Sequence, residues 1–70
     1  MKMSARNVLE GTVKQITRGT VNSEVILELP GGQEIVSVIT TQSVNRLGLE
    51  EGKPAKGFIK ASNVMIIVDD

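Results

Sequence analysis

The sequence contains no cysteine, no histidine, no tryptophan and no tyrosine, and Phe58 is its single aromatic residue. Each absence closes a class of function. Without cysteine there is no disulfide and no thiolate nucleophile, and there is no Cys/His cluster for structural zinc. Without histidine the commonest general base at neutral pH is missing. The serines stand in no G-x-S-x-G elbow, so an enzyme is not expected. One phenylalanine cannot supply a stacking platform for bases. Eight basic and eight acidic residues cancel to a formal net charge of zero. That leaves no basic excess for neutralising phosphates, so no nucleic-acid partner is expected. No apolar run approaches the length of a membrane span. Met1-Lys2-Met3-Ser4 carries a charge but no apolar stretch behind it, so no signal peptide is read. The expectation is a soluble, cytoplasmic, non-enzymatic protein.

Seventy residues make one domain, spanning 1–70. A chain of this size buries only about 60% of its unfolded surface and is marginal alone. With disulfides and structural metal excluded, oligomerisation is the remaining support.

What is present is mostly strand pattern. Val8 to Ile16 alternates imperfectly, and Arg18-Gly19-Thr20 is a turn signal. Val21 to Leu29 alternates better, with Val21, Val25, Leu27 and Leu29 on one face; Ile26 interrupts the polar face. Pro30-Gly31-Gly32 is a strong turn, so the second and third strands form a hairpin. Ile35 to Ile39 is β-branched. Thr40 or Thr41 can cap a helix of about two turns that carries Val44 and Leu47 three apart, with Gly48 closing it. Ala55 to Lys60 reads as a fourth strand and Val64 to Val68 as a fifth. Three strands, a short helix and two more strands predict an all-β fold, a small five-stranded OB-like barrel with one helix between strands three and four. An SH3-like barrel is the alternative, and it usually lacks a helix at that point. The polar lead-in from Met1 to Asn7 could reach a neighbouring chain.

Two segments carry unusual chemistry. Ser4-Ala5-Arg6-Asn7 and Ile59-Lys60-Ala61-Ser62 each join a fixed cation to a small hydroxyl residue. Small residues let an anion approach backbone N–H groups, and no carboxylate lies among them. Thr40, Thr41 and Ser43 add hydroxyls at a helix start, where the backbone dipole favours negative charge. The bland alternatives are solvated surface charges and simple helix capping. Lys60 argues against the first, because it interrupts the apolar stretch Gly57-Phe58-Ile59.

In these segments, and in Val8-Leu9-Glu10-Gly11-Thr12-Val13, Gly19-Thr20-Val21-Asn22-Ser23-Glu24-Val25, Leu47-Gly48-Leu49-Glu50-Glu51-Gly52 and Asn63-Val64-Met65-Ile66, the chain closely resembles the molbindins, the small Mop-domain proteins that bind molybdate. The resemblance runs through nearly the whole chain and, with no helix-turn-helix or P-loop present, is to the stand-alone form. It implies an OB-like barrel, a hexamer built as a trimer of dimers with exchanged N-terminal strands, and oxyanion sites between subunits. By motif, Ser4, Ala5, Arg6, Lys60, Ala61 and Ser62 would surround the anion, and Thr40 and Ser43 would complete the site from a neighbouring chain. A second class of site near the threefold axis is also implied, for which the turn amides around Gly19 and Thr20 are candidates. The ligand would be molybdate, with tungstate a substitute of nearly the same size, and the role storage and homeostasis of the oxyanion. Pro30 and Pro54 depart from the pattern only at a turn and a strand start, where proline is tolerated. The alternatives are an OB-type nucleic-acid-binding module and a protein-docking module.

Overall fold

The computed structural model describes residues 2–70. Met1, the first residue of the polar lead-in, lies outside the described residues. The elements run β1 (Asn7–Arg18), β2 (Asn22–Glu28), β3 (Glu34–Thr40), α1 (Thr41–Leu47), β4 (Pro54–Ile59) and a 3-10 turn over Ala61–Asn63. The four strands form one curled antiparallel sheet in the order β3-β2-β1-β4.

The imperfect alternation of β1 has a structural cause. The register against β2 shifts between Val13 and Gln15, so Lys14 is the extra residue of a bulge. A bulge turns every later side chain to the opposite face and bends the strand. β1 therefore pairs with β4 over its first half, from Asn7↔Ile59 to Thr12↔Pro54, and with β2 from Thr12 onward. Gly11 lies just before the crossover, where a Cβ would sit 2.6 Å from the Glu28 carbonyl oxygen. No side chain fits there without moving backbone. The β2–β3 hairpin expected from Pro30-Gly31-Gly32 is present, with Asn22↔Thr40 at its open end.

Helix α1 forms as its caps predict. Thr40 is the N-cap, its hydroxyl oxygen accepting a hydrogen bond from the Ser43 N–H, and Gly48 ends the helix in the left-handed conformation at φ 67°. Thr41, the other candidate cap, turns inward instead. Its hydroxyl donates to the Gly19 carbonyl at 2.7 Å, and it lies 2.6 Å from the Ser23 hydroxyl. Since the Thr41 proton is already committed, Ser23 is the donor of that second bond. This satisfies Ser23, which is buried in the core.

The core itself is small: Val13, Val25, Leu27 and Val44, with Ile16, Ile39, Leu49 and Ala55 packed against it. Alternation puts Ser23, Val25 and Leu27 of β2 inward, as the sequence pattern requires. Val44, fully buried, is the residue that fastens α1 to the sheet.

The fifth strand does not form. Val64 to Val68 pairs with no strand among the described residues, and Met65, Ile66 and Ile67 are 84–92% exposed. The fold is a four-stranded sheet with one helix and a 3-10 turn, not a five-stranded barrel closed within one chain. The reason lies just upstream. The turn at Ala61–Asn63 carries the chain past the end of β4, and Val64 to Val68 then runs clear of both edges of its own sheet. Lys60 is likewise corrected. It stands one residue beyond β4, at the cap position of the 3-10 turn, and is not a strand residue.

Candidate functional site

The sheet register assembles half of the expected site by itself. Asn7 opens β1 and Ile59 ends β4, and the two are direct partners. The Asn7 side-chain amide also donates to the Ile59 carbonyl at 3.2 Å. Ser4, Ala5 and Arg6 therefore lead into the same end of the sheet that Lys60, Ala61 and Ser62 leave. Segments separated by more than fifty positions in sequence emerge side by side.

The donors there are uncommitted. Ion pairs among the described residues join Lys14 to Glu28 and Glu34, Lys53 to Glu50, and Lys56 to Glu10. Arg18 donates to the Asn45 side-chain carbonyl at 2.7 Å. Neither Arg6 nor Lys60 has an acidic partner among the described residues, so their charge is available to an anion. In the 3-10 turn the Asn63 N–H bonds the Lys60 carbonyl and the Val64 N–H bonds the Ala61 carbonyl. The N–H groups of Ala61 and Ser62 precede the first such bond and make no backbone hydrogen bond among the described residues.

Thr40 and Ser43 lie elsewhere. Thr40 pairs with Asn22, next to the Arg18 end of β1. β1 is 12 residues long. At about 3.3 Å per residue, roughly 35 Å of strand separates that end from Asn7. One chain cannot place both sets of donors around one tetrahedral anion. The hydroxyls at the helix start are bonded to each other. Thr40 donates to the Ser43 hydroxyl oxygen at 2.7 Å and accepts from the Ser43 N–H at 3.0 Å. Thr40 is thereby consumed, and the Ser43 proton is the one left to point outward. Backbone amides contribute less than the helix-dipole expectation implied, because the Thr41 N–H is also spent, on the Val21 carbonyl at 2.8 Å.

An open groove of about 520 Å³ lies against the β2–β3 turn, lined in part by Glu10, Glu28, Pro30 and Gly32. Its carboxylates repel an oxyanion, and it holds none of the donors above. No group of three or more potential metal-ligating side chains exists among the described residues. No helix there is long and apolar enough to cross a membrane. Thr41, expected among the helix-start hydroxyls, is instead spent on Gly19 and Ser23, and Ser23 was not expected to bear on the site. A pair of small hydroxyl residues at buried positions on two elements is a signal that periodicity alone cannot separate from ordinary polar surface.

Comparison with known proteins gives a consistent result. The model of the TOBE domain matches residues 3–66. The molybdenum-pterin-binding protein 1 of Clostridium pasteurianum is 43% identical over 67 residues, covering 96% of this chain and 98% of the relative. The molybdate-binding protein of Sporomusa ovata superposes with a TM-score of 0.90 at 38% identity, covering 97% of this chain and all of its own. ModG, a cytoplasmic molybdate-binding protein solved with molybdate bound, superposes with a TM-score of 0.89 at 54% identity; the match covers 93% of this chain and 46% of ModG.

Proposed function

The chain belongs to the TOBE-domain family, and from that premise we propose that it is a cytoplasmic protein that binds, stores and buffers molybdate without catalysing a reaction. The observation that carries this reading is the convergence of Ser4–Arg6 and Lys60–Ser62 at one end of the sheet, through the Asn7↔Ile59 pairing. The anion sits between copies. Ser4, Ala5, Arg6, Lys60, Ala61 and Ser62 of one chain surround it, and Thr40 and Ser43 of another chain close the cage, Ser43 as the donor and Thr40 by orienting it. The family resemblance supports an assembly of six chains, as a trimer of dimers.

The chemistry fits an oxyanion that carries no proton. Molybdate is a tetrahedral dianion at neutral pH, so it accepts hydrogen bonds and donates none. A site made only of donors satisfies it fully. Phosphate retains a proton part of the time, and a donor facing a donor leaves buried groups unpaired at a cost of about 1–3 kcal/mol each. Sulfate has the same charge on a smaller tetrahedron, so cavity size must reject it. Tungstate is nearly isosteric with molybdate and binds the same cage. The relatives' name also carries a pterin; the donor set here addresses the oxyanion part of such a ligand.

Isothermal calorimetry with molybdate, tungstate and sulfate tests the reading. Molybdate and tungstate should bind with similar affinity and sulfate far more weakly. Equal binding of all three, or none, would end it.

A further inference from the structure

We propose that Thr41 is a positioning residue of the oxyanion cage. Its tether to the Gly19 carbonyl fixes the first turn of α1, and with it the reach of the Ser43 proton, so that the cage keeps the span of molybdate and does not contract onto sulfate. The proposal rests on the oxyanion reading above and deepens it: the rejection of sulfate is assigned to residues that do not touch the anion.

The first observation is where the polar groups of Thr41 go. The helix it opens has seven residues, too few to hold its shape in water without outside contacts. Thr41 makes such contacts at the start. Its N–H bonds the Val21 carbonyl at 2.8 Å, and its hydroxyl donates to the Gly19 carbonyl at 2.7 Å. The Ser23 hydroxyl donates to the same Thr41 oxygen at 2.6 Å. Three alternate residues of the β1–β2 hairpin thus grip one residue of α1. Thr40 stands one position before it, and Ser43 two positions after it within the same helical turn. Val44 also fastens the helix, but an apolar contact is non-directional and does not set the angle of the first turn.

The second observation is the firmness of the anchor. Gly19 lies in the turn between β1 and β2, where a Cβ would sit 2.4 Å from the Asn22 carbonyl oxygen. The backbone is folded closely on itself there, which gives the Gly19 carbonyl a fixed place. Asn22 is also the sheet partner of Thr40. One turn therefore locates both threonines of the helix start.

The third observation is the buried hydroxyl behind the tether. Ser23 is 2% exposed and stands in the inward row with Val25 and Leu27, where an apolar side chain would pack. A hydroxyl buried in such a row is costly unless it is hydrogen-bonded. Here its bond occupies the Thr41 oxygen as an acceptor and leaves the Thr41 proton to Gly19.

A donor held from outside is in place before the anion arrives, so molybdate binds without a further cost of ordering it. The same donor does not follow a smaller tetrahedron inward. Releasing the tether reverses both effects. Molybdate must then order the helix start, and sulfate regains a contact that the fixed donor denied it.

Three full-length variants separate positioning from folding. Thr41→Val is nearly isosteric and leaves the Ser23 hydroxyl buried without a partner, so the urea midpoint should fall. Ser23→Ala/Thr41→Val removes that unpaired group as well, and the midpoint should return most of the way to wild type. Molybdate affinity should not return with it. In the double variant it should stay about 10-fold below wild type, the low end of the range for losing a group that orients a ligand. Sulfate, measured as a competitor of molybdate, should bind no more weakly than to wild type. Thr41→Ser keeps the hydroxyl and should bind molybdate like wild type. On a Ser43→Ala background, Thr41→Val should weaken binding no further, because both changes act through one proton. A wild-type ratio of molybdate to sulfate affinity in Ser23→Ala/Thr41→Val, or a loss that adds in full to that of Ser43→Ala, overturns the positioning role while leaving the oxyanion reading intact. Wild-type protein that binds no molybdate overturns both.

Discussion

Replacing Ser43 with alanine separates binding from folding more sharply than any other single change. The Ser43 N–H caps the helix through Thr40, and this bond is a backbone one that alanine keeps. The side-chain hydroxyl only accepts from Thr40, at the helix surface. Its removal should cost no more than about 0.5 kcal/mol of stability, the usual range for a surface change outside a special feature. Binding is different. In the proposed site the free proton of Ser43 would supply one hydrogen bond to a charged acceptor, worth about 1.5–3 kcal/mol. At about 1.4 kcal/mol per decade, molybdate affinity should fall about 10- to 100-fold. Thr40→Ala is the companion measurement. It removes the cap, at about 1 kcal/mol, and also releases the orientation of Ser43, so stability and affinity should fall together. Calorimetry gives the affinities and urea denaturation gives the stabilities. If Ser43→Ala binds molybdate like wild type, or loses affinity only in step with stability, Ser43 does not donate to the anion.

Arg6→Ala and Lys60→Ala should each weaken molybdate binding at least 10-fold, each removing a charged donor worth about 1.5–3 kcal/mol, while sedimentation shows the assembly unchanged; wild-type affinity in both variants would misplace the site. Val44→Ala should cost about 2–3 kcal/mol, the sum of two lost carbons at about 0.8 kcal/mol each and a cavity that the surrounding strands cannot fill. A urea midpoint equal to wild type would contradict the full burial of Val44. Gly11→Ala should cost about 1–3 kcal/mol, because the new methyl group meets a backbone carbonyl that a rotamer change cannot relieve. The dependence on pH should be flat near neutrality. A hydrogen bond from Lys53 holds the Glu50 carboxyl below its usual range, so its contribution is present above about pH 4.3 and is lost as pH falls through the lowered value. A hydrogen bond to Glu34 raises the Lys14 ammonium, so its contribution is present below about pH 10.4 and is lost as pH rises through the raised value. Both pairs are solvated, so both effects are small and screened by salt. With no histidine in the chain, thermal stability measured between pH 6 and 8 should not move. A marked change in that window would reveal a titrating group that this reading lacks.

The local features of this protein were written in its sequence. Alternation placed the first two strands and β-branched composition the third to within a residue or two, because burial of one sheet face imposes a period of two and a pleated surface suits branched side chains. The order Thr40, Val44, Gly48 set the helix, because a cap hydroxyl, an inward apolar residue and a residue free to turn left-handed are local requirements. The donor character of Ser4–Arg6 and Lys60–Ser62 was legible as residue chemistry. The choice between Thr40 and Thr41 was not, since either hydroxyl can cap and only the position of Ser23 and Gly19 draws Thr41 inward. The sequence also showed Val64–Val68 as strand-forming without saying where its partner would be, because propensity is local and pairing is not. Three decisions belonged to the tertiary structure. The bulge at Lys14 let one strand pair on both sides. The Asn7↔Ile59 register brought two distant donor segments to one end. The length of β1 put Thr40 and Ser43 beyond their reach, so that the proposed cage would need a second chain.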